Sequence, residues 1–231
     1  MSANNTARHA RAALMDIYRA ERSWDGWNED GVAIANDLVN LLLQMRNSQE
    51  PAVWHPSLPH MFPDLAEKYM ATSLDMSRKK LEQLKHKLTM MNRQIDRMQA
   101  AAESMLKLLP PEEQASQSSR QLTAQFEEPF ALGSLKWYAE RALTVCDVYR
   151  MAVTMRDEHI DVIGKTIDSF GGRCDAPVGA LDSDTQLVYL STWLHSPGLQ
   201  NARLMDVTSN STLMLSDYDD MLRIELGIEK V

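Results

Sequence analysis

Residues 74–109 read LDMSRKKLEQLKHKLTMMNRQIDRMQAAAESMLKLL, and their spacing decides the fold. Apolar residues fall at Leu74, Leu81, Leu84, Leu88, Met91, Ile95, Met98, Ala102, Met105 and Leu109, with Ser77 alone interrupting steps that alternate three and four. A period of 3.5 belongs to an a/d seam, along which one helix packs against another. At 1.5 Å per residue, the stretch predicts a rod of roughly 54 Å.

A second seam has the same spacing: Leu135, Ala139, Ala142, Cys146, Tyr149, Val153, Ile160, Ile163, Ile167 and Phe170, broken at Arg156. Its extent equals that of the first. The reading favoured by equal extent is an antiparallel hairpin within one chain, since the connection lets the chain double back. The alternative is that each helix pairs with a copy from a second chain.

Hydrophobic residues make up 44% of the 231, enough for a core, while Gly is scarce at nine and Met abundant at fifteen. An all-α fold follows, with flexible thioethers filling irregular gaps in the seams. Cys146 on the seam and the distant Cys174 read as reduced thiols. Arg8, Arg11, Asp16 and Arg19 replace the apolar centre of a secretory signal, and no run approaches the ~18 apolar residues of a membrane span. The expectation is a soluble protein of the nucleus and cytoplasm. A net charge of −8 speaks against nucleic acid as main ligand. One exception is the run Arg78 to Lys107, with eight basic residues to three acidic; it reads as a solvated face or, alternatively, as a docking stripe for an acidic partner or a phosphate backbone.

The chain reads as one structural domain in four stretches. Residues 1–50 form an N-terminal helical pair, Thr6 to Asp25 and Val32 to Met45, broken by Trp27 to Gly31, with Asn28 or Asp30 capping the second helix. Residues 51–63 form a loop with Pro51, Pro56, Pro59 and Pro63, anchored by Trp54 and Phe62. Residues 64–172 are the long hairpin, with a disordered connection near 110–128 and a stop at Gly171-Gly172. Residues 173–231 hold short C-terminal helices, Asp184 to His195 and Leu213 to Leu226, and a tail.

No catalytic constellation emerges. The six histidines never flank a glutamate at i, i+4, paired-cysteine spacing is absent, and Gly171-Gly172 follows a helix with no Lys-Ser/Thr after it. Asp157-Glu158 and Asp219-Asp220 are neighbours that do not face each other on a helix. The expectation is a protein that is not an enzyme and needs no metal or other cofactor. Trp, Asn and His instead concentrate in two places, at Trp24 to Asn40 and Tyr189 to Pro197. These stretches either plug helix ends and tie loops, or supply the aromatic and polar groups of a partner-binding hot spot.

The pattern W-x3-N-[DE]-x-G-x3-A-N-x3-N-L is carried by Trp24, Asn28, Glu29, Gly31, Ala35, Asn36, Asn40 and Leu41, and Y-L-S-x-W-L-H-x-P by residues 189–197, including Tyr189, Trp193 and His195. Together they resemble the cyclin-dependent kinase-interacting protein (CINP) family, with a weaker echo at Tyr149-Arg150. The resemblance implies a small non-enzymatic adaptor. Its partners would be a cyclin-dependent kinase, DNA replication machinery, a checkpoint kinase complex, or a hexameric AAA+ ATPase assembly acting in replisome turnover and ribosome maturation. Ser48-Gln49 and Ser116-Gln117 match the minimal site of checkpoint kinases, and Ser196-Pro197 that of proline-directed kinases; Ser116 is the best placed of these, and Ser196 is the other candidate. A self-associating coiled coil of tether or spindle type is the alternative to the adaptor.

Overall fold

Residues 3–50, 53–109, 129–170, 203–205 and 212–228, with Val188, Trp193 and Leu199, are described by a computed structural model. The first element, α1, is a single helix over Ala3–Ser48. This corrects the expected helical pair, and the expected caps Asn28 and Asp30 lie in the helix interior. The reason is a third seam, at Ala10, Leu14, Ile17, Glu21, Trp24, Asn28, Gly31, Ala35, Leu38, Leu42 and Met45, whose steps also alternate three and four. Glu21, Asn28 and Gly31 break its apolar run in sequence. Its remaining members are buried as core.

Two further helices follow, the short α2 over Ser57–Met61 and the long α3 over Leu65–Leu106, with turns closing through Leu109. The proline-rich stretch is therefore a loop with one helical turn inside it. Trp54 pins it: its indole N–H donates to the Ser48 carbonyl at 2.7 Å, and its ring meets Tyr69 edge-on at 5.8 Å. Phe62, expected as a second anchor, is 54% exposed. The fourth helix, α4, spans Leu135–Phe170, with Ser134 Oγ capping its start by accepting from the Trp137 N–H at 3.1 Å.

The chain ends differently from the expected helix of Leu213 to Leu226. Strands β1 (Arg203–Met205) and β2 (Thr212–Met214) pair antiparallel, Leu204 opposite Leu213, and α5 begins only at Leu215 and runs to Leu226. Three-residue strands are too short for any periodicity to show in sequence. Gly227, at φ +67°, closes α5: its N–H reaches Ile224 and that of Ile228 reaches Arg223. Apart from this ribbon, the described chain is all-α. The expected connection near 110–128, the stop at Gly171-Gly172, Cys174 and most of Asp184 to His195 lie outside the described residues.

The chain divides into two compact units. The first comprises Met1–Asp25, Met91–Ala152 and Pro197–Val231. Here Cys146 Sγ lies 3.8 Å from the Ile95 carbonyl, and Arg150 reaches Gln99 and Asp96, joining α4 to α3. Tyr149 donates to Glu21 at 3.0 Å, joining α4 to α1. The last helix covers the start of α4. Glu225 accepts from the Ala131 and Leu132 N–H groups and from the Tyr138 hydroxyl, and the Tyr218 ring stands 6.4 Å from that of Tyr138.

The second unit comprises Gly26–Met90 and Val153–Ser196. A Cβ on Gly164 would meet Leu81 at 3.4 Å, and Arg78 pairs with Asp168 at 3.9 Å, so α3 and α4 are antiparallel as the hairpin requires. Lys80 to Asp37 and Lys87 to Asp30, at 2.6 and 2.7 Å, set α1 antiparallel to α3. Ser77, the polar interruption of the α3 seam, is buried with Oγ 3.5 Å from Met45 Sδ.

The two helical glycines of α1 have opposite surroundings. A Cβ on Gly26 meets nothing within 4 Å, whereas one on Gly31 would lie 2.3 Å from the Trp193 ring. Gly26→Ala is expected to stabilise by about 0.5–1 kcal/mol through helix propensity. Gly31→Ala is expected to destabilise by about 1–3 kcal/mol, because overpacking against a rigid ring exceeds that gain. Urea midpoints of the two variants check the difference in sign.

Candidate partner-binding site

In the second unit, three motif residues converge on Arg156, the interruption of the α4 seam. Its side chain is only 1% exposed, its Nη2 donates to Asn28 Oδ1 at 2.9 Å, and its guanidinium stands 5.3 Å from the centre of the Trp193 ring. Burial alone lowers its pKa, to about 10. Gly31 leaves room for the other edge of the same ring. Asn28, Gly31 and Trp193 thus seat a buried charge, and Trp193 presents no surface to a partner.

Trp24, in the first unit, is also core, with its ring 4.4 Å from that of Tyr149. Cys146 is a buried free thiol, pushed up to about 12 chiefly by burial, and so is inert at neutral pH. Tyr189, His195, Ser116 and Ser196 lie outside the described residues.

Asn36 and Asn40 behave differently from the other motif residues: both are exposed on α1. Gln44 and Asn47 are exposed too, and at 100° per residue the four side chains fall within an arc of about 80° over roughly 16 Å of helix. Among the described residues, none of these four side chains has a hydrogen-bond partner. Asn is about 0.6 kcal/mol worse than Ala in a helix, so three of them sacrifice roughly 2 kcal/mol with no return within the fold. Sequence reading finds Asn36 and Asn40 through the motif. It misses Gln44 and Asn47, although i+4, i+8 and i+11 spacing of uncharged amides was open to inspection.

Near the end of α1 in the same unit, the pinned loop leaves Val53, Met61 and Phe62 exposed, at 56%, 68% and 54%. The part of the basic run that lies in this unit, by contrast, is engaged. Arg78, Lys79, Lys80, Lys85 and Lys87 pair with Asp168, Asp75, Asp37, Glu82 and Asp30. Lys87 also lies over the Trp27 ring, 4.4 Å from its centre. Among the described residues, no group of three or more His, Cys, Asp or Glu side chains is arranged to hold a metal, and no helix is long and apolar enough to cross a membrane. No family model and no curated protein matches the chain.

The Arg156 seat makes a contrast testable by chemical denaturation. Arg156→Met keeps the volume and removes a desolvated charge, so stability is expected to hold or rise. Asn28→Ala keeps the charge and removes an acceptor, and is expected to cost about 1–3 kcal/mol.

Proposed function

We propose that this protein is a non-enzymatic adaptor or scaffold subunit whose partner docks on the amide face of α1. The observation that carries the reading is the stripe Asn36, Asn40, Gln44 and Asn47, exposed and unused by the fold despite its cost in helix propensity. Amides offer both donors and acceptors without the desolvation cost of charge, which suits recognition of a partner's backbone or polar side chains. The exposed Val53, Met61 and Phe62 supply apolar area in the same unit.

The family resemblance of Trp24 to Leu41 and of residues 189–197 supplies the class of partner. Under this reading the chain links a cyclin-dependent kinase or checkpoint kinase complex, DNA replication machinery, or an AAA+ ATPase assembly in replisome turnover and ribosome maturation. A self-associating coiled coil has less support, because the chain's own helices already cover the seams of α3 and α4.

The test is affinity purification from dividing cells with wild type and the double variant Asn36→Lys, Asn40→Lys. The variant is expected to melt with the wild type and to recover at least about tenfold less partner, the effect of losing about 1.4 kcal/mol. Equal recovery of a kinase or ATPase assembly would remove the amide face from the proposal, and recovery of neither by wild type would remove the adaptor reading. Light scattering of the purified chain is expected to give a mass near 26.2 kDa; twice that mass would favour self-association.

A further inference from the structure

A cavity of about 200 Å³ opens in the first unit, between α1 and the start of α5. Its walls carry the carboxylates of Glu21, Asp25 and Asp219, the guanidinium of Arg22, and the apolar side chains of Leu199 and Leu215. Glu21 occupies a seam position and is 4% exposed; Oε1 accepts from Tyr149, while its buried Oε2 has no hydrogen-bond partner. Asp219 repeats the pattern: Oδ2 takes the Arg22 guanidinium at 2.8 Å, and its buried Oδ1 has no partner. A buried acceptor left without a donor costs about 1–3 kcal/mol, and here two residues that line one opening each carry such an atom.

We infer that this cavity is a binding site for an organic cation, a guanidinium or ammonium group that donates to Glu21 Oε2 and Asp219 Oδ1. At roughly 30 Å³ per water, the volume takes several waters or one such head with part of its alkyl stem. Leu199 and Leu215 suit the stem. Guanidinium is the better fit, because it is weakly hydrated and its planar fork reaches two carboxylates at once. The group has two possible sources, a free small molecule or the side chain of a partner protein.

The electrostatics of the cavity agree. Arg22 and Asp25 on α1, Tyr149 on α4, and Tyr218 and Asp219 on α5 surround Glu21. Burial first, and Asp219 second, push the Glu21 carboxyl up to about 8. Below that pH the empty site holds a proton, which a bound cation displaces. Apparent affinity is therefore expected to rise close to tenfold between about pH 6 and about pH 7 and to level off above about pH 8. A raised folded-state pKa also means stability that is present below the unfolded value and lost as pH rises through about 8. Glu21→Gln, neutral at all pH and still an acceptor for Tyr149, is accordingly expected to melt no lower than wild type at neutral pH.

The experiment is titration of the ¹⁵N-labelled full chain with n-butylguanidinium, and separately with a Gly/Ser hexapeptide bearing one central arginine or, as control, citrulline. Saturable shifts at Glu21, Leu199 and Asp219 that strengthen with pH, and that weaken at least about tenfold in Glu21→Gln and in Asp219→Asn, support the site. Binding of butylguanidinium as tightly as of the arginine peptide assigns it to small molecules; a peptide at least about tenfold tighter assigns it to a partner's side chain. No saturable binding of either probe, equal binding of the citrulline peptide, or affinity unchanged in Glu21→Gln overturns the inference. These readouts do not involve the amide face, so the adaptor proposal and the cation site fail independently.

Discussion

Register in this protein depends on polar groups placed inside apolar seams. An apolar stripe with a 3.5-residue period can slide by a heptad with little loss, because Leu opposite Leu looks much the same one repeat away. A polar residue in the stripe cannot, since it must find its partner or remain buried without one. Each long helix carries such positions: Glu21 and Asn28 in α1, Ser77 in α3, and Tyr149 and Arg156 in α4. They answer one another, Tyr149 to Glu21, Arg156 to Asn28, and Ser77 to Met45. The first two pairs each join residues 128 positions apart, so the offset between α1 and α4 is the same wherever it is specified. A slip by one heptad sets either Tyr149 opposite Leu14 and Asn28 opposite Ile163, or Arg156 opposite Ala35 and Glu21 opposite Ala142, and leaves two polar groups without partners.

This arrangement explains why two helices could be read from sequence and the third could not. In α3 and α4 a single residue breaks each stripe, Ser77 and Arg156, so the period survives inspection. In α1 the breaks at Glu21, Asn28 and Gly31 are closely spaced, and the last two fall within Trp27-Asn28-Glu29-Asp30-Gly31, whose composition is that of a turn. Local propensity and the long-range stripe disagree there, and the stripe prevails. Each helical glycine costs up to about 1 kcal/mol, whereas fully burying one Leu or Met gains roughly 1.5–3 kcal/mol, and Leu38, Leu42 and Met45 all lie beyond the supposed break. Gly31 then serves packing, because no residue with a Cβ leaves space for the Trp193 ring.

The end of the chain was hidden for another reason. Thr212, Leu213 and Met214 form a strand only by pairing with Arg203, Leu204 and Met205, a relation between two segments that neither shows alone. The carboxylate of Glu225, one acid among several in an apparently solvated tail, reaches the backbone before α4, and no spacing rule connects residues 94 positions apart. Candidate sites divide in the same way. Asn36 and Asn40 were visible through a motif, whereas the Glu21 and Asp219 pair needs the folded chain to bring α1 to α5.

The density of tryptophan in the motifs is weaker evidence of a binding surface than it first looks. Aromatic residues dominate hot spots because they bury large area at small entropy cost, and the same property recruits them to cores. Trp24 and Trp193, both about 1% exposed, have been spent on the core. On the proposed adaptor reading, recognition falls to groups that the fold does not use. The amides of Asn36, Asn40, Gln44 and Asn47 are such groups, and they differ from Lys80 and Lys87 of the same unit, which are tied to Asp37 and Asp30 on α1. A charged face would attract many partners at long range and be screened by salt. An uncharged amide face attracts none at a distance and discriminates only on contact, through donor and acceptor geometry. That favours a partner delivered by other contacts, with the apolar loop of Val53, Met61 and Phe62 supplying area and the amides supplying selectivity.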